Sequence, residues 1–326
     1  MQNTSCENTP QLVLYHAVSS YQLLEVMLHR MVYHPNDKAV LLLPDFIIKK
    51  YPQYKKLVFR RFFSAVYLFP YLQIPQESEE QVTADVRRFY EQTVPYAIED
   101  FSRVYVAGAH FFFSLYLIER KIPFYFFEDA AGVFSKPAVL DTALRRTFPL
   151  HAKIARRHGL FSGENPLVLK IILLKSAQSV PVDDAMFWDF SVEKTLQCLP
   201  DAKRRRVIRL FLRRRLHTKA DAILLTQQFS NLGIMDENEQ KKLYQNLRKD
   251  VLHDVSLLIK KHPDDTVDYR EIFPNAQILK PIFPAELLPF VFYKRPKRVY
   301  TFDSASCENL KGHFIIRKIR REEHAG

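Results

Sequence analysis

Short, nearly unbroken apolar runs alternate with longer mixed stretches along the first part of the chain. The runs are "QLVLYHAV" (11–18), "KAVLLLPDF" (38–46), "SAVYLFPY" (64–71), "RVYVAGA" (103–109) and "PFYFFEDA" (123–130). Runs without polar alternation read as strands covered on both faces, which is the situation of a parallel sheet. The stretches between them, such as "SSYQLLEVMLHRMVY" and "AHFFFSLYLIERK", read as helices; the first has apolar residues near i, i+3 and i+4 and Ser at its N-cap. After a long, mostly helical middle the pattern restarts at 221–229, 255–263, 276–281 and 297–305. The expected fold class is therefore α/β, with two Rossmann-like, doubly wound domains facing a central cleft. The boundaries read as 1–165 for a first domain, 166–215 for a helical, basic linker region and 216–326 for a second domain. No internal repeat or low-complexity segment interrupts them.

Length and composition agree. At 326 residues the chain suits two domains, and 47% apolar with 13% aromatic residues is the composition of a globular protein. The polar start "MQNTSCENTP" lacks the basic and apolar regions of a secretory signal. The longest apolar runs are broken by Pro and Asp and fall short of the roughly 20 residues that span a bilayer. Cys6, Cys198 and Cys307 are scattered without metal-ligand or disulfide spacing. A cytoplasmic location is expected.

Charge adds a partner question. The net charge of +12 predicts attraction to something anionic, whether nucleic acid, lipid surface or substrate. Nine Lys and Arg with no acidic residue fall in "KRRRVIRLFLRRRLHTK" (203–219). In a helix there, Val207, Leu210 and Phe211 share one side and Arg206, Arg209 and Arg213 another. Such a helix suits peripheral contact with an anionic inner-membrane face, and a solvated face at a domain boundary is the plainer reading.

In open parallel sheets, ligands bind beyond the carboxyl ends of strands. The polar residues there are His16 and Ser19 after the first run, His110 after "VYVAGA" and Glu128 and Asp129 after "FYFF". In the second half they are Gln227 and Gln228 after "ILLT", His262 after "SLLIKK", and Ser304 and Ser306 after "VYTFD". A lone His at such a place is often a hydrogen-bonded structural residue, and an acidic pair before Gly is often a helix cap. No Asp-x-Asp pair, HExxH, GxSxG or P-loop spacing occurs, and seven glycines make no phosphate cradle. Metalloprotease, serine hydrolase and NTPase chemistries are set aside.

Four ordered motifs, "FFEDAAG" (126–132), "KKHPDD" (260–265), "IFPAELL" (282–288) and "TFDSAS" (301–306), resemble those of bacterial sialyltransferases of the lipooligosaccharide, capsule and polysialic acid group. The opening "LVLYHAVSSYQLLEVML" resembles their first strand and helix. The resemblance runs from the first strand to residue 306 and implies the GT-B arrangement of nucleotide-sugar glycosyltransferases. The family has Gly directly after the acidic pair, whereas here Ala130 and Ala131 precede Gly132, so either Glu128 or Asp129 is the working carboxylate.

The resemblance implies an inverting, metal-independent sialyltransferase that needs no cofactor. Its donor is CMP-sialic acid and its acceptor a sugar hydroxyl of a surface glycan, lipid-linked in the membrane-face version of the reading. Asp129 or Glu128 takes the acceptor proton, and His262 assists CMP departure, with Pro263 ending the strand so that the ring projects. Ser304 and Ser306 hold phosphate oxygens, Glu286 accepts the ribose hydroxyls, and Gln227 belongs to the nucleotide side. His16, Ser19 and His110 are expected on the substrate side. Nucleic acid is not an expected partner of such an enzyme. The rivals are another transferase of the same architecture, with a Kdo or glycerophosphate donor, and a non-enzymatic binder using Arg204–Arg206 and Arg213–Arg215, whose affinity would fall steeply with salt.

Overall fold

A computed structural model of the chain describes residues 10–58, 60–181, 183, 185–302 and 304–324. The start of the chain with Cys6, and Asp303 of the "TFDSAS" stretch, lie outside the described residues. The strands are β1 (Leu12–His16), β2 (Lys38–Pro44), β3 (Ala65–Phe69), β4 (Arg103–Ala107), β5 (Phe124–Phe127), β6 (Val168–Leu173), β7 (Phe187–Asp189), β8 (Ala222–Leu225), β9 (Leu257–Lys260), β10 (Gln277–Ile278), β11 (Arg298–Thr301) and β12 (Ile315–Lys318). They form two parallel sheets, ordered β3-β2-β1-β4-β5-β6-β7 and β10-β9-β8-β11-β12. The chain divides into two compact units, Met1–Asp129 with Leu150–Phe190, and Ala130–Pro149 with Ser191–Gly326.

In the first unit the apolar runs are buried. Ala39 to Leu43 of β2 and Val13, Leu14 and Tyr15 of β1 have no exposed surface. Each large side chain so placed contributes roughly 1.5–3 kcal/mol. The register Tyr15↔Tyr105↔Tyr125 across β1, β4 and β5 stacks three rings at 4.8 and 4.7 Å, a cross-strand ladder that pins the alignment. Ser19 caps the helix Ser20–Tyr33 by accepting the Gln22 N–H at 3.1 Å, and Leu23, Leu24, Met27 and Leu28 face the core.

The second unit is built alike. The helix Glu237–Asp250 starts with a capping box, Asp236 and Glu239 exchanging side chain-to-backbone bonds at 2.8 Å, and packs Leu243, Tyr244 and Leu247 onto the sheet.

Two sequence expectations change. The stretch 166–215, read as a mostly helical linker, contains β6 and β7, which complete the first sheet on one side. Lys170 within β6 and the three-residue length of β7 hide both from a reading by periodicity. The basic helix runs only over Asp201–Phe211, because Leu216 N–H then bonds the Val291 carbonyl at 2.7 Å and draws the following backbone into a tertiary pairing. Arg213 thus lies beyond that helix. Its apolar residues Val207, Leu210 and Phe211 are buried in the protein and are not presented to a bilayer. Among the described residues no helix is long and apolar enough to cross a membrane.

Candidate active site

In each sheet the strand order reverses, between β1 and β4 in the first and between β8 and β11 in the second. Such reversals open a crevice at the carboxyl ends of the strands. The polar residues expected there occupy those ends, but not all of them have atoms to offer a substrate.

His16 ends β1 in register with Val106, with its ring fully buried. One nitrogen meets the Ala107 carbonyl at 2.9 Å, the other the Tyr71 hydroxyl at 3.0 Å, and the ring stacks on Phe113 at 5.1 Å. Burial depresses its pKa to about 3. The expected substrate contact at His16 gives way to a structural role, since both nitrogens are already bonded within the core. Ser19 is likewise engaged as a helix cap.

The two adjacent carboxylates separate cleanly. Glu128 is 1% exposed and its oxygens accept the Leu174 backbone N–H at 2.8 Å and the Gln178 amide at 3.1 Å. It ties β5 to the end of β6. Asp129 keeps 29% of its side chain in contact with solvent. The Gln22 amide donates to its Oδ1 at 2.8 Å, and Gln22 Oε1 in turn accepts the Val18 backbone N–H at 2.9 Å, so the loop after β1 holds the carboxylate in one orientation. Desolvation in this recess raises the Asp129 pKa to about 6, with the Gln22 bond opposing the rise.

His110 lies 3.7 Å from Asp129 and is 7% exposed, and burial holds its pKa down to about 4. The imidazole is neutral before the carboxyl ionises, so the two do not form an ion pair. Gly108 precedes it with φ +72°, and a Cβ there would sit 2.4 Å from Val18 Cγ2 and 3.2 Å from Gln22 Oε1. Glycine is required for that approach.

In the second unit, β9 ends at Lys260 and the chain turns at His262–Pro263. The His262 backbone N–H donates to Thr226 Oγ1 at 3.1 Å, and its Nδ1 accepts the Asp264 N–H at 3.2 Å. With Nδ1 accepting that N–H, the ring proton of a neutral imidazole is assigned to Nε2. One-third of the side chain is exposed (33%). Asp265, two residues after Pro263, is buried, and it gathers Thr226, the Gln240 amide at 3.1 Å, the Val267 N–H at 3.2 Å and the Tyr269 hydroxyl at 2.8 Å. It is the post on which the His–Pro turn stands.

Glu286 sits in the short 3-10 helix Ala285–Leu287, 3% exposed, where burial raises its pKa and its own N–H, the Ser306 hydroxyl and the Lys260 charge oppose the rise. Two motifs far apart in the chain thus meet. Lys260, which the sequence reading passed over, is buried with its ammonium 5.0 Å from the Phe283 ring centre, and desolvation lowers its pKa to about 8 against the pull of Glu286. Its only signal is a Lys closing an apolar strand. Ser304, partly buried between β11 and the short helix Cys307–Leu310, accepts the Cys307 N–H at 3.1 Å through its carbonyl. The Gln227 backbone is clamped by the Tyr244 hydroxyl and the Gln240 amide, both at 2.9 Å, with its side chain half-buried.

Residues 72–320 match the sequence model described as Glycosyltransferase family 52. An uncharacterized protein of Haemophilus influenzae is 34% identical over 84 residues, a match covering 26% of this chain and 27% of that protein. Among solved structures, the glycotransferase of kitacinnamycin covers 96% of this chain and 87% of its own at TM-score 0.52 and 12% identity. The Methanocaldococcus jannaschii UDP-GlcNAc 2-epimerase in complex with UDP-GlcNAc and UDP covers 96% and 90% at TM-score 0.56 and 13% identity. The likeness at this identity is one of fold, the two Rossmann-like domains that glycosyltransferases call GT-B.

Proposed function

Because the chain belongs to glycosyltransferase family 52, a family of bacterial sialyltransferases, we propose that it moves sialic acid from CMP-sialic acid to a hydroxyl of a surface glycan, with Asp129 as base. The observation that carries the assignment of the base is the contrast between neighbours: Glu128 is consumed by two structural N–H bonds, while Asp129 is oriented by Gln22, reaches solvent and has a pKa of about 6. A carboxylate poised near neutrality takes a hydroxyl proton with more driving force than an ordinary one. His110 lies beside it as a neutral wall.

On the nucleotide side, His262 acts through Nε2–H as a hydrogen-bond donor to the departing phosphate, since Nδ1 is occupied as an acceptor. Ser304 holds a phosphate oxygen, while the Ser306 hydroxyl is donated to Glu286. Glu286, whose burial raises its pKa against the opposing pull of Ser306 and Lys260, takes the ribose hydroxyls. CMP leaves with a single phosphate, so hydrogen bonds meet its developing charge without a metal. One displacement at the anomeric carbon inverts its configuration.

The test is CMP release from CMP-sialic acid with a panel of galactosides. Asp129→Asn and His262→Ala are each expected to slow release by about 10²–10⁴-fold. Release at the uncatalysed rate by the unmodified protein, with another sugar nucleotide consumed instead, sinks the donor assignment.

A further inference from the structure

The second unit contains a groove of about 800 Å³ walled by the helix Asp201–Phe211, the segment 212–217 and the rings of Phe290 and Tyr293. Six arginines line it, Arg204, Arg205, Arg209, Arg213, Arg214 and Arg215, against one carboxylate, Asp201. Arg204 is taken up by Asp201 and by the Leu196 and Gln197 carbonyls at 3.3 and 3.2 Å, and Arg205 reaches Asp201 only at 3.8 Å. Arg209, Arg213 and Arg214 are exposed and have no acidic partner among the described residues. Like charges crowded around a concave space repel one another until an anion enters it.

We propose that this groove binds an acidic oligosaccharide, the carboxylate- or phosphate-bearing part of the acceptor glycan, through guanidinium forks. The inference rests on the glycosyltransferase reading given above and adds a second contact for the acceptor, apart from the residues assigned to the reaction. Three observations choose this occupant. The volume is that of a discrete ligand of a few rings. A flat bilayer does not fill a concavity, and the apolar side of the helix, Val207, Leu210 and Phe211, is spent in the protein core. Nucleic acid would seek open aromatic faces for its bases. Here the two rings are already engaged, Phe290 by Arg204 at 5.8 Å and Tyr293 by Arg215 at 5.5 Å and by the His217 ring stacked at 4.1 Å. The groove therefore offers charge and planar donors, which suit carboxylates and phosphates.

The experiment is titration of the full chain, without donor, by a fluorescent α2,8-linked sialic acid pentamer between about 50 and about 200 mM salt. Binding is expected, weakening with salt. The triple variant Arg209→Ser, Arg213→Ser, Arg214→Ser is expected to lose about tenfold or more in affinity. Asp201→Asn, which removes the single counter-charge, is expected to bind a few-fold tighter. Unchanged affinity in both variants overturns the proposal. So does single-stranded DNA of equal charge binding as tightly as the pentamer, or attachment to anionic vesicles with none to the pentamer. If CMP is released from the donor while the pentamer is not bound, the groove assignment alone fails. If the pentamer is bound and CMP release is absent, the sialyl-transfer reading alone fails.

Discussion

Of the two adjacent carboxylates, Glu128 accepts an N–H at each oxygen inside the protein, and Asp129 shows an oriented oxygen to solvent. Nothing in the dipeptide distinguishes them, because what differs is the set of atoms brought to each by residues 22, 174 and 178. A pH consequence follows. Asp129 acts as a base only when deprotonated, so the rate should climb as pH rises through about 6 and then level, as a pH–rate profile would read. Stability runs the other way. A carboxyl whose pKa is higher folded than unfolded favours the folded state at low pH and loses that advantage as pH rises from about 4 to about 6. At neutral pH the cost is at most about 3 kcal/mol, and less because an oxygen still meets water. Asp129→Asn keeps the acceptor for Gln22 while removing the buried charge. Thermal melts should therefore show the inactive variant more stable than the parent at pH 7, with the difference narrowing as pH falls below 6. A variant less stable at pH 7 contradicts this account of the desolvated carboxylate.

At the level of elements, the central strands were legible because they are apolar throughout. Parallel strands covered on both faces leave little room for polar residues, so β1, β2, β4, β8, β9 and β11 appear as runs. The edge strands β3 and β10 also read as runs, but β6, β7 and β12, at the other side of each sheet, resisted. β12, "IIRK", exposes most of its length, and charged residues of this kind are how sheet edges avoid pairing with another chain. The turn after β4 makes a prediction of its own. Gly108 combines a positive φ with a closest approach of 2.4 Å to Val18. Gly108→Ala is expected to cost about 2–4 kcal/mol and to push Gln22 from the carboxylate it orients. Denaturant unfolding should read the first effect and CMP release a larger fractional loss than the stability change explains. Full activity in a stable Gly108→Ala protein would separate Gln22 from the base.

For the whole molecule, buried neutral histidines set the acid limit. His16, His110 and His151 in the first unit have pKa values lowered to about 3, 4 and 3, chiefly by burial. The unfolded chain takes up these protons near 6.5, so stability is intact above that pH and falls as pH drops below it, by up to about 1.4 kcal/mol per pH unit for each histidine. Cooperative unfolding of the first unit between pH 6 and 4 is expected in circular dichroism. Retention of full structure at pH 4 would mean that the imidazoles are not excluded from water. The second unit holds its polar groups differently, through Asp265 and the Lys260–Glu286 pair, and no comparable acid transition is assigned to it.

The order of apolar runs, the polar residues at their carboxyl ends and the excess of arginine were determined by the sequence itself, because strand burial and charge are properties of residue type and spacing. Which of those polar residues has an atom left over was decided only by tertiary structure. His16 and Glu128 spend their hydrogen-bonding capacity on Ala107, Tyr71, Leu174 and Gln178, partners from distant parts of the chain. Gln22, Lys260 and Asp265 acquire their roles from contacts formed only after the strands align. A buried polar group must be bonded, and its partner is chosen by packing in three dimensions.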